Sequence, residues 1–334
     1  MKILSYIIPL YNSATWLPKC LCSVLNQDIP EDEVEIICVN DGSPDNSAEI
    51  AREIAKEHPC IIVIDQENQG PSGARNTGMR AATGKYLCFV DPDDFVEPNV
   101  YGGLIRQMED EQLDMLRFNY QVVNENYEVI PKRPFEYKFD YTPQFMTGTQ
   151  FLAERLDIAC NIWRYIYRRN IIVDNNIWCF VGDYYDDTPW LPLVLMKAKR
   201  MNICDTIVYD YMERSDSLVN AKSPKAVQRQ IDGNFLLLEI LQDELKTIND
   251  QGVQQWYGMM IAHSVASLLT LIGVYQYKQR KGYLMHLRAL NVLPLSIYRA
   301  DKKVLKKIRL INICLEIFLW LVHFKYISEY KRHQ

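Results

Sequence analysis

The stretch Tyr86-Leu87-Cys88-Phe89-Val90-Asp91-Pro92-Asp93-Asp94 reads as a buried strand that ends in three carboxylates. Five apolar or aromatic residues in a row suit a strand covered on both faces, the condition of a parallel sheet. Four other β-rich runs share that character: Ile3 to Pro9, Glu35 to Asn40, Ile61 to Asp65 and Met115 to Tyr120. Segments of helical period lie between them, among them Leu17, Leu21 and Val24 or Leu25, and a helix through Ile50 and Ile54 for which Asn46 or Ser47 offers a cap. This alternation predicts an α/β fold, doubly wound, with a mostly parallel sheet flanked by helices.

Ligands of such sheets bind beyond the carboxyl ends of the strands. The polar clusters stand there: Tyr11-Asn12-Ser13 after the first run, Asp41-Gly42-Ser43 after the second, Asp91 to Asp94 after the fourth. Three adjacent carboxylates repel one another, and a hard divalent cation, Mn²⁺ or Mg²⁺, relieves that repulsion; these ions use one or two carboxylates plus substrate phosphates. Asp91, Asp93 and Asp94 are the candidate ligands, the alternative being a solvated acidic turn. Asp41 can accept from a base N–H, and Gly42 permits close backbone approach. The segment Asn68-Gln69-Gly70-Pro71-Ser72-Gly73-Ala74-Arg75-Asn76 opens a helix from which Arg75 can reach an anion. Neither a P-loop lysine nor GxGxxG is present, which argues against a kinase-type NTPase and a nicotinamide dehydrogenase.

The 334 residues are 48% hydrophobic and 24% charged, a globular balance that excludes disordered, collagen-like and small disulfide-scaffold chains. The net charge of −5 provides no footprint for nucleic acid. Nine scattered cysteines without framework spacing, and an N-terminal apolar run too short for a signal sequence, predict free thiols and a cytoplasmic location. The expected organisation is an α/β domain over 1–220, which the resemblance given below makes catalytic with a nucleotide-binding half (1–120) and an acceptor half (121–220), followed by a helical region over 221–334. That region ends in a basic segment: from Lys302 onward, eight Lys and Arg stand against Glu316 and Glu329. Lys302, Lys303, Lys306, Lys307 and Arg309 precede the apolar run Ile311 to Val322, which Asn312 and Glu316 interrupt. The run falls short of the roughly 18 to 20 apolar residues of a spanning helix. Two readings stand for 302–334: an interfacial helix with Phe318 and Trp320 in an anionic membrane surface, peripheral to the inner face of the plasma membrane, or an amphipathic helix packed on the protein body.

The series Ile7-Ile8-Pro9-Leu10-Tyr11-Asn12, Val39-Asn40-Asp41-Gly42-Ser43, Asn68-Gln69-Gly70 through Ala74-Arg75-Asn76, and Phe89-Val90-Asp91-Pro92-Asp93-Asp94 resembles glycosyltransferase family 2 and its GT-A nucleotide-sugar-binding fold. The resemblance covers residues 1–220 and is strongest before residue 100. It implies that Pro9, Tyr11 and Asp41 meet the nucleobase, with Tyr11 stacking and Asp41 accepting the ring N–H. Asn12 and Ser43 belong to the same nucleotide-sugar site, and Arg75 lies near the phosphates. Asp91 and Asp93 would form a DxD element at the ribose and metal, with Asp94 as a further ligand.

Where the family has an acidic pair on the acceptor side, this chain has Gly182-Asp183-Tyr184-Tyr185-Asp186-Asp187-Thr188. Asp187 aligns with the general base and Asp186 replaces a glutamate, so both remain candidates. In Tyr209 to Ser217, Arg214 would contact the diphosphate or serve as a structural arginine; Trp163 would be a sugar platform or, more in keeping with its Ile and Tyr neighbours, core. The implied activity is metal-dependent inverting transfer of a hexose or N-acetylhexosamine from a UDP-sugar to a saccharide or lipid-linked acceptor, as in envelope polysaccharide assembly. The rival readings are a catalytically decayed nucleotide-sugar binder and a nucleotidyltransferase. The latter wants a glycine-rich basic loop, which Tyr11 to Thr15 does not supply.

Overall fold

The computed structural model describes residues 2–131, 139–155, 160–182, 187–214, 223–295 and 302–330. The chain divides into two compact units, the second formed by residues 218–334 with two short earlier stretches, 152–158 and 183–185, and the first by the rest. In chain order the elements up to residue 212 are β1 (Leu4–Leu10), α1 (Leu17–Leu25), β2 (Val34–Asp41), α2 (Ser47–Ala55), β3 (Ile61–Gln66), α3 (Gly70–Ala81), β4 (Tyr86–Phe89), β5 (Phe95–Val96), α4 (Tyr101–Asp110), β6 (Met115–Val123), β7 (Val129–Ile130), α5 (Gly148–Glu154), β8 (Tyr165–Arg168), α6 (Asn170–Val173), α7 (Asp187–Leu195) and β9 (Met201–Met212).

One sheet carries the first unit, in the order β3-β2-β1-β4-β8-β6-β9-β5, with β7 paired to β6. Strands β1 to β4 are mutually parallel. All seven residues of β1 are buried, as a strand covered on both faces requires. The order reverses at β1, which has β2 on one side and β4 on the other. The crevice at such a reversal opens beyond the carboxyl ends of those strands, where Tyr11, Asp41 and Asp91 stand. Beyond β4 the sheet departs from the expected pattern: β8 runs antiparallel to both β4 and β6, and β5 antiparallel to β9. Only the β6–β9 pair restores parallel register, with irregularities around Asn119.

One cap expectation is corrected. The Asn46 side chain makes no capping bond at α2. Asp45 instead accepts the Ser47 N–H at 3.1 Å. A carboxylate two residues ahead of the helix reaches that amide more directly than the Asn46 side chain does.

The second unit is helical: α8 (Pro224–Leu245), α9 (Gln251–Tyr275), α10 (Arg280–Ala289), α11 (Lys302–Ile313) and α12 (Leu315–Tyr330). Ser223 caps α8 through the Ala226 N–H, and Asp250 caps α9 through the Val253 N–H at 2.9 Å. By length and composition α9 could cross a membrane, yet 61% of its most apolar window is buried within the protein. It packs against α8, α11 and α12. In α11 and α12, Ile308, Ile311, Phe318 and Leu319 are buried. The residues that interrupted the apolar run have partners: Asn312 exchanges two hydrogen bonds with the Leu295 backbone, and Glu316 pairs with Arg280. The C-terminal segment therefore is a packed helix pair on one face, as the second of the two sequence readings held.

Glu244 on α8 is largely buried; its Oε2 accepts from Tyr257 OH at 2.7 Å, and its Oε1 has no hydrogen-bond partner. Burial, partly offset by the Tyr257 bond, pushes its carboxyl up to about 7. A folded-state value above the unfolded one means that the native state holds the proton more tightly, so stability falls as pH rises between the two. The helical unit should thus lose about 3 kcal/mol between pH 4 and pH 8 from this group. Denaturant unfolding across that range will show a flatter profile in Glu244→Gln than in the parent.

Candidate active site

Two loops at the strand ends are stitched together first. Asn12, at φ +50°, donates its N–H to Ser43 Oγ at 2.9 Å, and Ser43 Oγ donates to Asp45 Oδ1 at 2.6 Å. Asp45 Oδ2 accepts the Ala14 N–H at 2.8 Å. Burial works to raise the Asp45 carboxyl, but the bonds from Ser43, Ser47 and the Ala14 amide outweigh it and hold Asp45 at about 2. The loop of Tyr11 is thereby tied to the loop of Asp41, and the Tyr11 side chain is left half exposed. Pro9 lies inside β1, buried, two residues ahead.

Asp41, at 2% exposure, is held through one oxygen: Oδ1 accepts from Gln66 Nε2 at 2.7 Å and from the Gln69 N–H at 2.8 Å. Among the described residues no donor bonds its Oδ2. The Asp41 backbone carbonyl takes Asn68 Nδ2 at 2.9 Å. Gly42 follows at φ +63°, and a Cβ there would lie 3.3 Å from the Asn68 amide nitrogen, so both backbone angle and space call for glycine.

Arg75 sits in the first turns of α3 at 5% exposure. Its Nη2 donates to Asp91 Oδ1 at 2.7 Å, and its Nη1 lies 3.6 Å from Asp187 Oδ1. Asp187 begins α7, and its Oδ2 accepts the Ile162 N–H at 3.3 Å. Three residues into α7, Trp190 is fully buried and meets Phe89 and Tyr167 edge-on, at 5.6 and 5.5 Å between ring centres. This aromatic cluster fixes the helix that carries Asp187 against the strand that leads to Asp91. Asn76 adds a tether by exchanging hydrogen bonds with the Cys179 backbone in both directions, at 2.8 Å each.

Asp93 pairs with Arg214 at 2.6 Å, both partly exposed. Burial raises the Asp93 carboxyl, the Asp91 charge adds to this, and Arg214 opposes both. Arg214 in turn lies 5.9 Å above the Trp16 ring. Asp94, expected as a further metal ligand, faces the other way. It is 2% exposed; Oδ2 accepts from Tyr209 OH at 2.8 Å and Oδ1 from the Met212 N–H at 2.7 Å. Burial, then its neighbours Asp93 and Asp91, push its carboxyl well up despite those bonds. Tyr209 OH also accepts the Asp91 N–H at 3.0 Å, so Asp94 acts as a brace between β9 and the acidic loop. Among the described residues no three His, Cys, Asp or Glu side chains gather at metal-ligand spacing.

Trp163 is 4% exposed and stacks on Tyr209 at 4.3 Å, with Tyr211 5.8 Å away. It belongs to the core beneath the acidic loop, not to a sugar platform. Asp183, Asp186 and Ser215 to Ser217 lie outside the described residues. Sequence reasoning passed over Asp45, Gln66 and Trp190, and quoted Tyr209 only as part of the element that carries Arg214. Asp45 stood two residues before a helix; Gln66 and Trp190 act through strand register and packing.

With this geometry in place, the comparisons with known proteins identify the class. Residues 5–173 match glycosyl transferase family 2, and the chain belongs to that family. It is 32% identical over 237 residues to the uncharacterized glycosyltransferase EpsJ of Bacillus subtilis, covering 70% of this chain and 68% of that one. It is 34% identical over 224 residues to the uncharacterized glycosyltransferase YibD of Escherichia coli, covering 64% and 62%. Among solved structures, S. aureus TarS 1–349 in complex with UDP-GlcNAc superposes with a TM-score of 0.68 at 18% identity, over 100% of this chain and 93% of that one. The expected fold, a GT-A α/β sheet with a C-terminal helical region, is the fold observed.

Tyr209→Phe removes a hydroxyl that both donates to Asp94 and receives the Asp91 amide. Leaving these groups unpaired in a buried site costs about 1 to 3 kcal/mol. Thermal and denaturant unfolding of the variant should show a loss in that range.

Proposed function

We propose that this chain is an inverting glycosyltransferase that moves a hexose or N-acetylhexosamine from a UDP-sugar to a hydroxyl of a saccharide or lipid-linked acceptor at the cytoplasmic side of the cell envelope. The observation that carries the reading is the Arg75 guanidinium, 2.7 Å from Asp91 and 3.6 Å from Asp187. Three distant segments, expected respectively at the donor phosphates, the DxD element and the acceptor base, meet at one side chain. The UDP-GlcNAc complex of TarS supports a UDP-sugar as donor.

On this reading the half-exposed Tyr11 stacks on the uracil and the open Oδ2 of Asp41 accepts its ring N–H, while Asn12 and Ser43 hold the two loops in register. Pro9 shapes the strand end below. Asp91 and Asp93 fit Mn²⁺ or Mg²⁺ shared with the diphosphate: two partly exposed carboxylates lie close enough for Asp91 to raise the Asp93 carboxyl, a repulsion that a cation would relieve. Such an ion would neutralise charge on the departing diphosphate. Arg214, beside Asp93, is placed to contact that group as well.

Asp187 takes the acceptor proton as the acceptor oxygen forms its bond to the anomeric carbon, and the bond from that carbon to the diphosphate oxygen breaks on the opposite face. UDP leaves and the configuration inverts. Arg75 and the Ile162 amide keep the Asp187 carboxylate oriented.

Asp187→Asn should lower transfer by a factor of about 10² to 10⁴ with UDP affinity nearly intact, measured by product formation and by calorimetry. If Asp186→Asn abolishes transfer and Asp187→Asn does not, the base is Asp186. Asp93→Asn should remove the Mn²⁺-dependent part of UDP affinity in a calorimetric titration; an unchanged metal dependence would remove Asp93 from the metal site. A chain that neither binds UDP nor hydrolyses any UDP-sugar with Mn²⁺ is not this enzyme.

A further inference from the structure

The C-terminal helix pair has a second face that the packing leaves open. Along α12, Ile317, Trp320, Leu321 and Phe324 are 49, 53, 43 and 60% exposed. Their spacing of three, four and seven residues puts them on one side of the helix. On α11, Lys306, Arg309 and Ile313 recur at three and seven residues, with Ile313 79% exposed and Lys306, Lys307 and Arg309 exposed as well. Hydrogen bonds from the Cys314 amide to the Leu310 carbonyl, and from the Phe318 amide to the Cys314 carbonyl, carry the helical ladder across the junction. The result is one strip: cationic at its start, aliphatic in the middle, aromatic toward its end. The opposite face is packed: Phe318 and Leu319 are buried and His323 bonds the Gly273 carbonyl at 2.9 Å.

Large apolar side chains standing in water over a continuous strip indicate a partner. The strip's composition narrows what that partner is. Trp and Phe beside lysines suit the boundary between headgroups and acyl chains, where aromatic rings are half wetted and ammonium groups meet lipid phosphates. The chain as a whole is acidic at −5, while the segment from Lys302 carries an excess of six positive charges. An anionic surface is the complement of that segment alone. We infer that the exposed face of α11 and α12, comprising Lys306, Lys307, Arg309, Ile317, Trp320 and Phe324, docks the protein in the plane of an anionic lipid bilayer without crossing it. On this proposal the packed face and the lipid-facing side are opposite sides of the same helices. The inference does not depend on which sugar is transferred or whether transfer occurs.

The test uses the full-length chain and point variants, because removing α12 would uncover its buried contacts with α9. Co-sedimentation is measured with vesicles of phosphatidylcholine alone and with roughly one third phosphatidylglycerol, at low salt and at about 0.5 M salt. The chain should bind the anionic vesicles at low salt and be released from them at high salt. Trp320→Ser with Phe324→Ser, and separately Lys306→Glu with Lys307→Glu and Arg309→Glu, should each cut binding about tenfold or more with an unchanged far-ultraviolet circular dichroism spectrum. Should either set disturb folding, brominated acyl chains decide the matter: they should quench the fluorescence of the parent on binding, and less so that of Trp320→Phe, which retains an aromatic anchor. Equal binding to both vesicle types, or variants that sediment like the parent, overturns the proposal. So does a chain that ignores vesicles but forms a dimer that Trp320→Ser with Phe324→Ser dissociates, which would make the strip a subunit contact.

Discussion

One buried guanidinium organises the first unit. Arg75, at 5% exposure, is charged at any accessible pH, and a charge so far removed from water has to be met by carboxylates. Asp91 and Asp187 meet it. They come from the end of β4 and the start of α7, nearly a hundred residues apart, and their positions relative to α3 are set by this demand together with the Phe89, Tyr167 and Trp190 cluster. A planar cation with donors on two sides can hold two acids at once, which a lysine could not do with the same geometry.

The acidic loop divides its labour by direction. Asp91 and Asp93 face the arginines and remain partly open, while Asp94 turns under the loop to Tyr209 and the Met212 amide. The three acids lie past the end of β4 in a tight turn that the Asp94 N–H closes on the Asp91 carbonyl at 3.0 Å, so their side chains leave the backbone in different directions. Which of them turned inward depended on β9, whose tyrosine and amide wait beneath the loop. Trp163 completes that floor by stacking on the same tyrosine.

In the helical unit, α11 and α12 bury one face and leave another exposed. α12 is too short and too interrupted to span a bilayer, and its interruptions, Asn312 just before it and Glu316 within it, are spent on contacts inside the unit. What is left for solvent includes Ile317, Trp320, Leu321 and Phe324. Composition alone could not separate these sides, because apolar residues occupy both.

The buried pattern of β1, β2 and β4 and the polar ends of those strands were legible from residue identities alone, because hydrophobic period and turn chemistry are local properties, and the four motifs in order added the family resemblance. They sufficed for the fold and for naming Tyr11, Asp41, Arg75, Asp91 and Asp93 as candidates. The antiparallel insertion of β8, the caps and braces from Asp45 and Tyr209, the inward turn of Asp94 and the burial of Trp163 were decided by tertiary structure. Apart from the bond between Asp45 and the neighbouring Ser47 amide, each depends on a partner from a remote segment. The same holds for the two faces of α11 and α12: helical period groups the residues into faces, but only packing against α9 determines which face is buried and which is left exposed.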